Sequence, residues 1–162
     1  MKYVPEQKLC GRYKRKWLEK ERGEMRKICE TADLFAIGGG VYGIIEIAWR
    51  GYTHWTMAVL GGVLFLILGG LNRYFPEGIP LLVRGLAGGM LITAAEFAAG
   101  CILNLRLGLD IWDYSQMPLH LWGQICLPYS LLWWCLSMVA MVLHSIVCCY
   151  GWNERAIPMR IL

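Results

Sequence analysis

The sequence predicts an all-α, polytopic membrane protein, a bundle of about four transmembrane helices preceded by a basic cytoplasmic arm. Of the 162 residues, 57% are hydrophobic and only 17% are charged, whereas soluble domains are about a quarter charged. The charge is also uneven, because residues 1–33 contain ten of the sixteen Lys and Arg and six of the twelve Asp and Glu. The rest of the chain is mostly apolar and divides into stretches long enough to cross a bilayer.

Residues 1–33 form the predicted arm. Its ten basic and six acidic residues leave a net charge of +4, and the interleaved acids argue against a nucleic-acid partner. Two interpretations remain open: the cations only fix the topology, or the arm lies along the lipid headgroups as an interfacial helix. The second interpretation depends on apolar residues at near-helical spacing, namely Leu9, Tyr13, Trp17, Leu18, Met25 and Ile28.

The transmembrane domain is predicted over residues 34–150, followed by a cytoplasmic tail at 151–162. A helix needs about twenty mostly apolar residues to cross the hydrocarbon core. Helices are favoured over a barrel because no ten-residue alternating pattern is present. Four stretches meet the length requirement, at about 34–52, 55–71, 79–103 and 125–150.

The orientation follows from the distribution of Lys and Arg, which favour the cytoplasmic side. This bias predicts a cell membrane protein (plasma or bacterial inner membrane) with both termini in the cytoplasm. We expect Arg84 to extend from the third helix towards the cytoplasmic surface. Outside the arm, the predicted cytoplasmic cations are Arg73, Arg155 and Arg160, and the opposite side has only Arg50 and Arg106.

Two carboxylates, Glu46 and Glu96, fall within predicted spans. Ionisable groups are costly there and by default mark a function or a buried partner. Each follows small residues at helical spacing, which allow helices to approach closely, so we expect both stripes to face the bundle interior. Purely structural alternatives stay open: Glu46 pairs with Arg50, four residues later, and Glu96 is protonated or hydrogen-bonded to a neighbouring helix. The stripes are Gly39, Gly43, Glu46 and Arg50 in the first helix, and Gly89, Thr93, Glu96, Gly100 and Asn104 in the third.

The loop at residues 104–124 is too polar for a span and unusually aromatic for a solvent loop. Such a segment suits the membrane interface or a re-entrant path. Asp113 and Ser115 have the spacing of a capped turn, and we expect the loop to close over the two glutamates. The candidate residues for ligand or ion binding, or for packing, are therefore Glu46, Arg50, His54, Glu96, Asn104, Asp113, Tyr114 and Ser115.

Several of these residues also belong to a recognisable pattern. The segments EFAAG at 96–100, WDYS at 112–115, GQICL at 123–127 and the Trp pair at 133–134 resemble the C-terminal signature of a bacterial family of small multi-pass membrane proteins. That family is described as putative ABC-transporter type IV. The segment RGYTHWTM at 50–57 is similar to the same group. The resemblance covers roughly residues 35–135, with one departure at Gln124, where many relatives are expected to have a basic residue.

The resemblance implies a membrane component of a transport system whose ATPase is a separate chain, since no nucleotide-binding motif is present here. We therefore expect a permease-like protein of unknown substrate, in contact with the lipid bilayer and assembled as a homo-oligomer. One alternative is a regulatory or scaffolding subunit that binds partner helices, and another is an intramembrane enzyme acting on lipid. We expect no enzyme activity, because no nucleophile–base spacing is present, and no metal or cofactor.

Overall fold

The computed structural model describes residues 6–76, 78–154, 157 and 160, with side chains from Trp17 onward. Residues 1–5 of the predicted arm and Arg155 of the predicted tail lie outside the described residues, as do the side chains of residues 6–16. The chain divides into two units at Asp33/Leu34.

The described part of the first unit, from Glu6 onward, belongs to α1, which runs over Glu6–Arg50. Its apolar side chains Trp17, Met25 and Ile28 are all more than half exposed. Ion pairs at helical spacing join Lys20 to Glu24 at 3.8 Å and Arg26 to Glu30 at 2.6 Å. Exposed pairs of this kind contribute little stability. Both interpretations of the arm, topological and interfacial, stay predictions.

The second unit contains the rest of α1, then α2 (Trp55–Tyr74), α3 (Leu81–Gly100) and α4 (Leu127–Trp152). After Gly100 the third helix continues as a π-helical turn over Cys101–Arg106. Before α4, two short antiparallel strands, β1 (His120–Leu121) and β2 (Ile125–Cys126), pair His120 with Cys126. Within the residues that the structure describes, four helices are long and apolar enough to span a membrane, which confirms the all-α, four-span prediction.

The helix ends differ by a few residues from the predicted spans. The first span was expected to reach residue 52, but α1 ends at Arg50 because Gly51 adopts a positive φ of 80°. The α4 helix continues to Trp152 and stops at Asn153, which is left-handed at φ 56°. Glycine and asparagine are the residues that tolerate this conformation at helix ends.

Close packing of α3 on α4 depends on a small residue. A Cβ added at Gly89 would lie 2.7 Å from the Cα of Trp134, so the helix backbones touch there. In membranes, helices associate through such close contacts rather than through a hydrophobic effect. The predicted stripes do face the interior: Gly39, Gly43 and Glu46 are buried in α1, and in the third helix Gly89, Glu96, Gly100 and Asn104 are buried.

The expectation that Arg84 extends to the membrane surface is wrong. Its side chain is fully buried. The guanidinium donates to Asn72 Oδ1 at 3.0 Å and to the carbonyls of Ile79 and Pro76, both at 2.9 Å. The turn between α2 and α3 has carbonyls that no helix satisfies, and Arg84 has enough donors to bind several of them at once. It therefore holds this turn together.

We predict that Gly89→Ala will lower the free energy of unfolding by about 1–3 kcal/mol, because the added methyl group must push Trp134 and its helix away. Thermal unfolding in detergent measures the change. Gly40→Ala is the matched control, since its methyl group would meet no described atom within 4 Å. An equal effect of the two substitutions would contradict close packing at Gly89.

Candidate functional site

The candidate residues lie at the end of the bundle where α1 stops, α2 starts and the loop before α4 crosses. Glu46 and Arg50 form an ion pair on the last turns of α1. Glu46 is buried and also accepts a hydrogen bond from the Thr53 hydroxyl. Arg50 donates to the carbonyl of Ile111 at 3.2 Å. The structural alternative for Glu46, a pair with Arg50, is therefore present, and it ties α1 to the loop.

Glu96 is also buried, at 4% exposure, but has a different environment. It accepts hydrogen bonds from the hydroxyl of Tyr114 at 3.0 Å and from Trp133 Nε1 at 2.6 Å. Both donors are neutral. Among the described residues no cation lies within ion-pair distance of Glu96, although Arg50 interacts with it electrostatically at longer range. A buried carboxylate without a salt bridge is costly in a membrane.

Both donors belong to a group of four neighbouring aromatic side chains, Tyr42, Tyr114, Tyr129 and Trp133, which we call the aromatic cluster. Tyr114 stacks on Tyr129 with ring centroids 4.6 Å apart. Tyr42 stacks on Trp133 at 6.2 Å, and Tyr129 lies 6.5 Å from Trp133. The cluster thus joins α1, α4 and the loop. Trp49 of α1 donates from its indole to the Tyr129 hydroxyl at 3.0 Å, which adds a second link between α1 and α4.

Asn104, in the π-helical turn, holds the loop in place through buried hydrogen bonds. Its Nδ2 donates to the carbonyl of Trp112 and to Gln124 Oε1, both at 2.9 Å. Its Oδ1 accepts from the amide of Ile111 at 2.8 Å. The indole of Trp112 in turn donates to the carbonyl of Gln124 at 3.0 Å. One buried amide therefore satisfies three groups that would otherwise be unpaired away from water.

The loop contacts Glu96 through the Tyr114 hydroxyl, and it contacts Arg50, the ion-pair partner of Glu46, through the Ile111 carbonyl. Asp113 and Ser115 do not join them. They form an exposed turn in which the Ser115 hydroxyl and amide donate to the Asp113 carboxylate at 2.7 and 2.8 Å. These bonds, the hydroxyl first, lower the pKa of Asp113. Burial, and then the charge of Glu96, raise the pKa of Tyr114 well above its usual range, so it acts as a neutral donor.

His54 also stands apart from the carboxylates. It is the N-cap of α2, where its Nδ1 accepts from the Thr56 amide at 3.4 Å and lies 2.7 Å from the Thr56 hydroxyl. A helix start needs such an acceptor, so the observed contacts give His54 a capping role. Within the described part of the chain, no three His, Cys, Asp or Glu side chains lie close enough to hold a metal ion.

Three residues of the site were not among the candidates chosen from the sequence: Tyr42, Trp133 and Gln124. Tyr42 and Trp133 looked like ordinary apolar helix positions. The Trp pair at 133–134 was visible only through the family pattern. Gln124 fits because Gly100 lacks a side chain: a Cβ there would lie 2.5 Å from Gln124 Oε1. A neutral amide at this position accepts a hydrogen bond from Asn104, which a basic side chain could not do.

Comparison with known proteins gives one family match. The model of a family described as Putative ABC-transporter type IV matches residues 41–158, a range that includes all eight candidate residues. No solved structure matches the chain.

We predict that Ser115→Ala will raise the pKa of Asp113, because the stronger of its two donors is lost. A depressed pKa means that the turn is stabilised above the unfolded pKa and loses this stabilisation as the pH falls through the folded value. As the pH falls, the variant should lose this stabilisation at a higher pH than the wild type. NMR titration of the Asp113 carboxyl measures the shift in its pKa. Ser130→Ala is the control, since that hydroxyl donates to the Cys126 carbonyl. An unshifted Asp113 in Ser115→Ala would show that the turn does not set its pKa.

We predict that Asn104→Ala will loosen the loop, because three buried groups lose their partner at a cost of about 1–3 kcal/mol each. Amide hydrogen exchange across residues 107–124 should accelerate at least about tenfold. Gln116→Ala, at an exposed position of the same loop, should leave exchange unchanged. Equal protection in Asn104→Ala and the wild type would mean that another contact holds the loop.

Proposed function

The chain belongs to the Putative ABC-transporter type IV family, and from that premise we propose that it is the permease-like membrane component of a transport system. In this proposal a separate chain supplies the ATPase. The four apolar helices found among the described residues support a multi-pass membrane protein. The proposed substrate path includes Glu96. This carboxylate is buried, and the packing places no cation of the described residues at ion-pair distance from it.

The observation that supports this role is the contrast between the two buried carboxylates. Glu46 forms an ion pair with Arg50, and this pair is sufficient to explain why a carboxylate is tolerated at that buried position. Glu96 is equally buried, but its hydrogen-bond partners among the described residues are the neutral donors Tyr114 and Trp133. A carboxylate retained in a span without a salt bridge is a functional candidate by default. It also keeps free acceptor positions, because each oxygen can accept more than one hydrogen bond.

The loop before α4 covers the Glu96 carboxylate with the side chain of Tyr114, and we propose that this part of the loop opens. Tyr114 donates to Glu96 from the loop, not from a helix, and the neighbouring turn at Asp113 is exposed. Loops that close over a site commonly control access to it. We propose that release of the Tyr114–Glu96 hydrogen bond opens the site towards the side of the membrane on which the loop lies. With both termini in the cytoplasm, that side is the exterior.

A homo-oligomer belongs to the same proposal. Four helices form a slim bundle, so a continuous path for a solute is more readily built between protomers. Membrane-facing positions such as Ile44 and Val139, which are more than 60% exposed, offer surface for a second copy or for lipid. The proposal assigns no catalysis, because Glu96 has phenol and indole partners rather than a nucleophile–base pair.

We predict that Glu96→Gln will reduce ATP-dependent solute uptake at least tenfold while leaving assembly with the ATPase intact. Glutamine retains an oxygen that accepts one hydrogen bond but removes the charge. The measurement is accumulation of solutes from cell extract, followed by mass spectrometry, in vesicles containing the purified protein and the ATPase that co-purifies with it. Glu154→Gln, which removes the same charge from an ion pair with Arg73 away from the loop, is the control. Uptake by Glu96→Gln equal to wild type, or the absence of any co-purifying ATPase, would refute the proposal.

A further inference from the structure

A cleft lies between α1, α2 and α4, next to the aromatic cluster. It encloses about 620 Å³, including the part open to the outside. Its walls are aliphatic, with Ile45 on α1 and Leu136 and Val139 on α4, and Leu64 of α2 forms part of the floor. Ile45 and Val139 are 44% and 61% exposed. Because these helices span the membrane, the cleft opens sideways into the hydrocarbon of the bilayer.

Tyr42 and Trp133 also line this cleft, and their rings stack on each other. Glu96 lies outside the cleft lining, at the edge of the indole ring, where Trp133 Nε1 donates to its carboxylate at 2.6 Å. The faces of aromatic rings carry partial negative charge. A largely aliphatic cleft is thus also lined by two aromatic side chains, one of which is hydrogen-bonded to a buried carboxylate.

The charges around this part of the cleft do not cancel. Glu46 and Arg50 neutralise each other as an ion pair, and Arg50 is further engaged with the Ile111 carbonyl. When ionised, Glu96 leaves a net charge of −1, since no cation among the described residues pairs with it at close range. In surroundings of low polarity such a charge is weakly screened. The complementary ligand has an apolar body and one positive charge.

We propose that this cleft binds a lipophilic organic cation, with a quaternary ammonium or phosphonium centre attached to an apolar body. The positive centre lies against the side chains of Tyr42 and Trp133, where the aromatic rings and the weakly screened charge of Glu96 attract it. The apolar body occupies the aliphatic cleft. An anion of the same shape is repelled by Glu96, and an uncharged lipid chain leaves the carboxylate unmatched. The cation is cargo only if the proposed transport function holds, on which this use of the site rests.

The test compares two probes of nearly identical shape and opposite charge, tetraphenylphosphonium and tetraphenylborate. Each is equilibrated separately by dialysis with the full-length protein in detergent, and protein-free micelles supply the background. We expect saturable binding of tetraphenylphosphonium alone, weakened at least tenfold by Glu96→Gln. Glu154→Gln is the matched control: it removes the same charge at a half-exposed ion pair with Arg73, remote from the cleft, and should bind as the wild type does.

A second substitution separates the ring face from the hydroxyl. Tyr42→Phe keeps the face and should retain most of the binding, whereas Tyr42→Leu should lose it severalfold. The two probes binding alike, neither binding, or Glu96→Gln binding like the wild type would each overturn the inference. Saturable phosphonium binding without ATP-dependent uptake would leave the inference standing and remove the transport function. ATP-dependent uptake without phosphonium binding would leave the transport function standing and overturn the inference.

Discussion

The structure depends on one constraint: in a lipid-embedded bundle every polar group must find its partner inside the protein. Three buried side chains show how the chain meets it. Arg84 satisfies the carbonyls of the turn between α2 and α3, and Asn104 satisfies the loop before α4. Glu96, by contrast, is held by two neutral donors in the part of the chain that the structure describes. The first two explain how the two ends of the bundle are closed, and the third identifies where function is to be sought.

The helices and their inner faces could be predicted from the sequence because their signals are local. Twenty apolar residues predict a span wherever they occur, and small residues at helical spacing predict which side is buried, as Gly39 and Gly89 show. Arg84 was mispredicted because its cation was assigned by distance from the helix end. Its partners, the carbonyls of Pro76 and Ile79, become visible only once the turn has folded back on α3.

The site was predictable in part for the same reason. Glu46 and Arg50 are four residues apart, so their pair can be inferred from helix geometry. Glu96 and Trp133 are 37 residues apart, and no spacing rule connects positions on two helices separated by an irregular loop. The expectation that the loop lies near Glu96 followed from its composition. The stacking of Tyr114 on Tyr129 and the bond from Asn104 to Gln124 required the three-dimensional contacts.

The π-helical turn at Cys101–Arg106 has a consequence for how this protein can vary. Such turns arise when an extra residue is accommodated within an α-helix. Each residue of an α-helix advances the direction of its side chain by about 100°. Loss of one residue between Gly100 and Asn104 would therefore convert the π-helical turn into regular α-helix. It would also rotate the Asn104 side chain away from the loop backbone to which it is hydrogen-bonded. Evolution is freer to exchange amino acids in this segment than to shorten it.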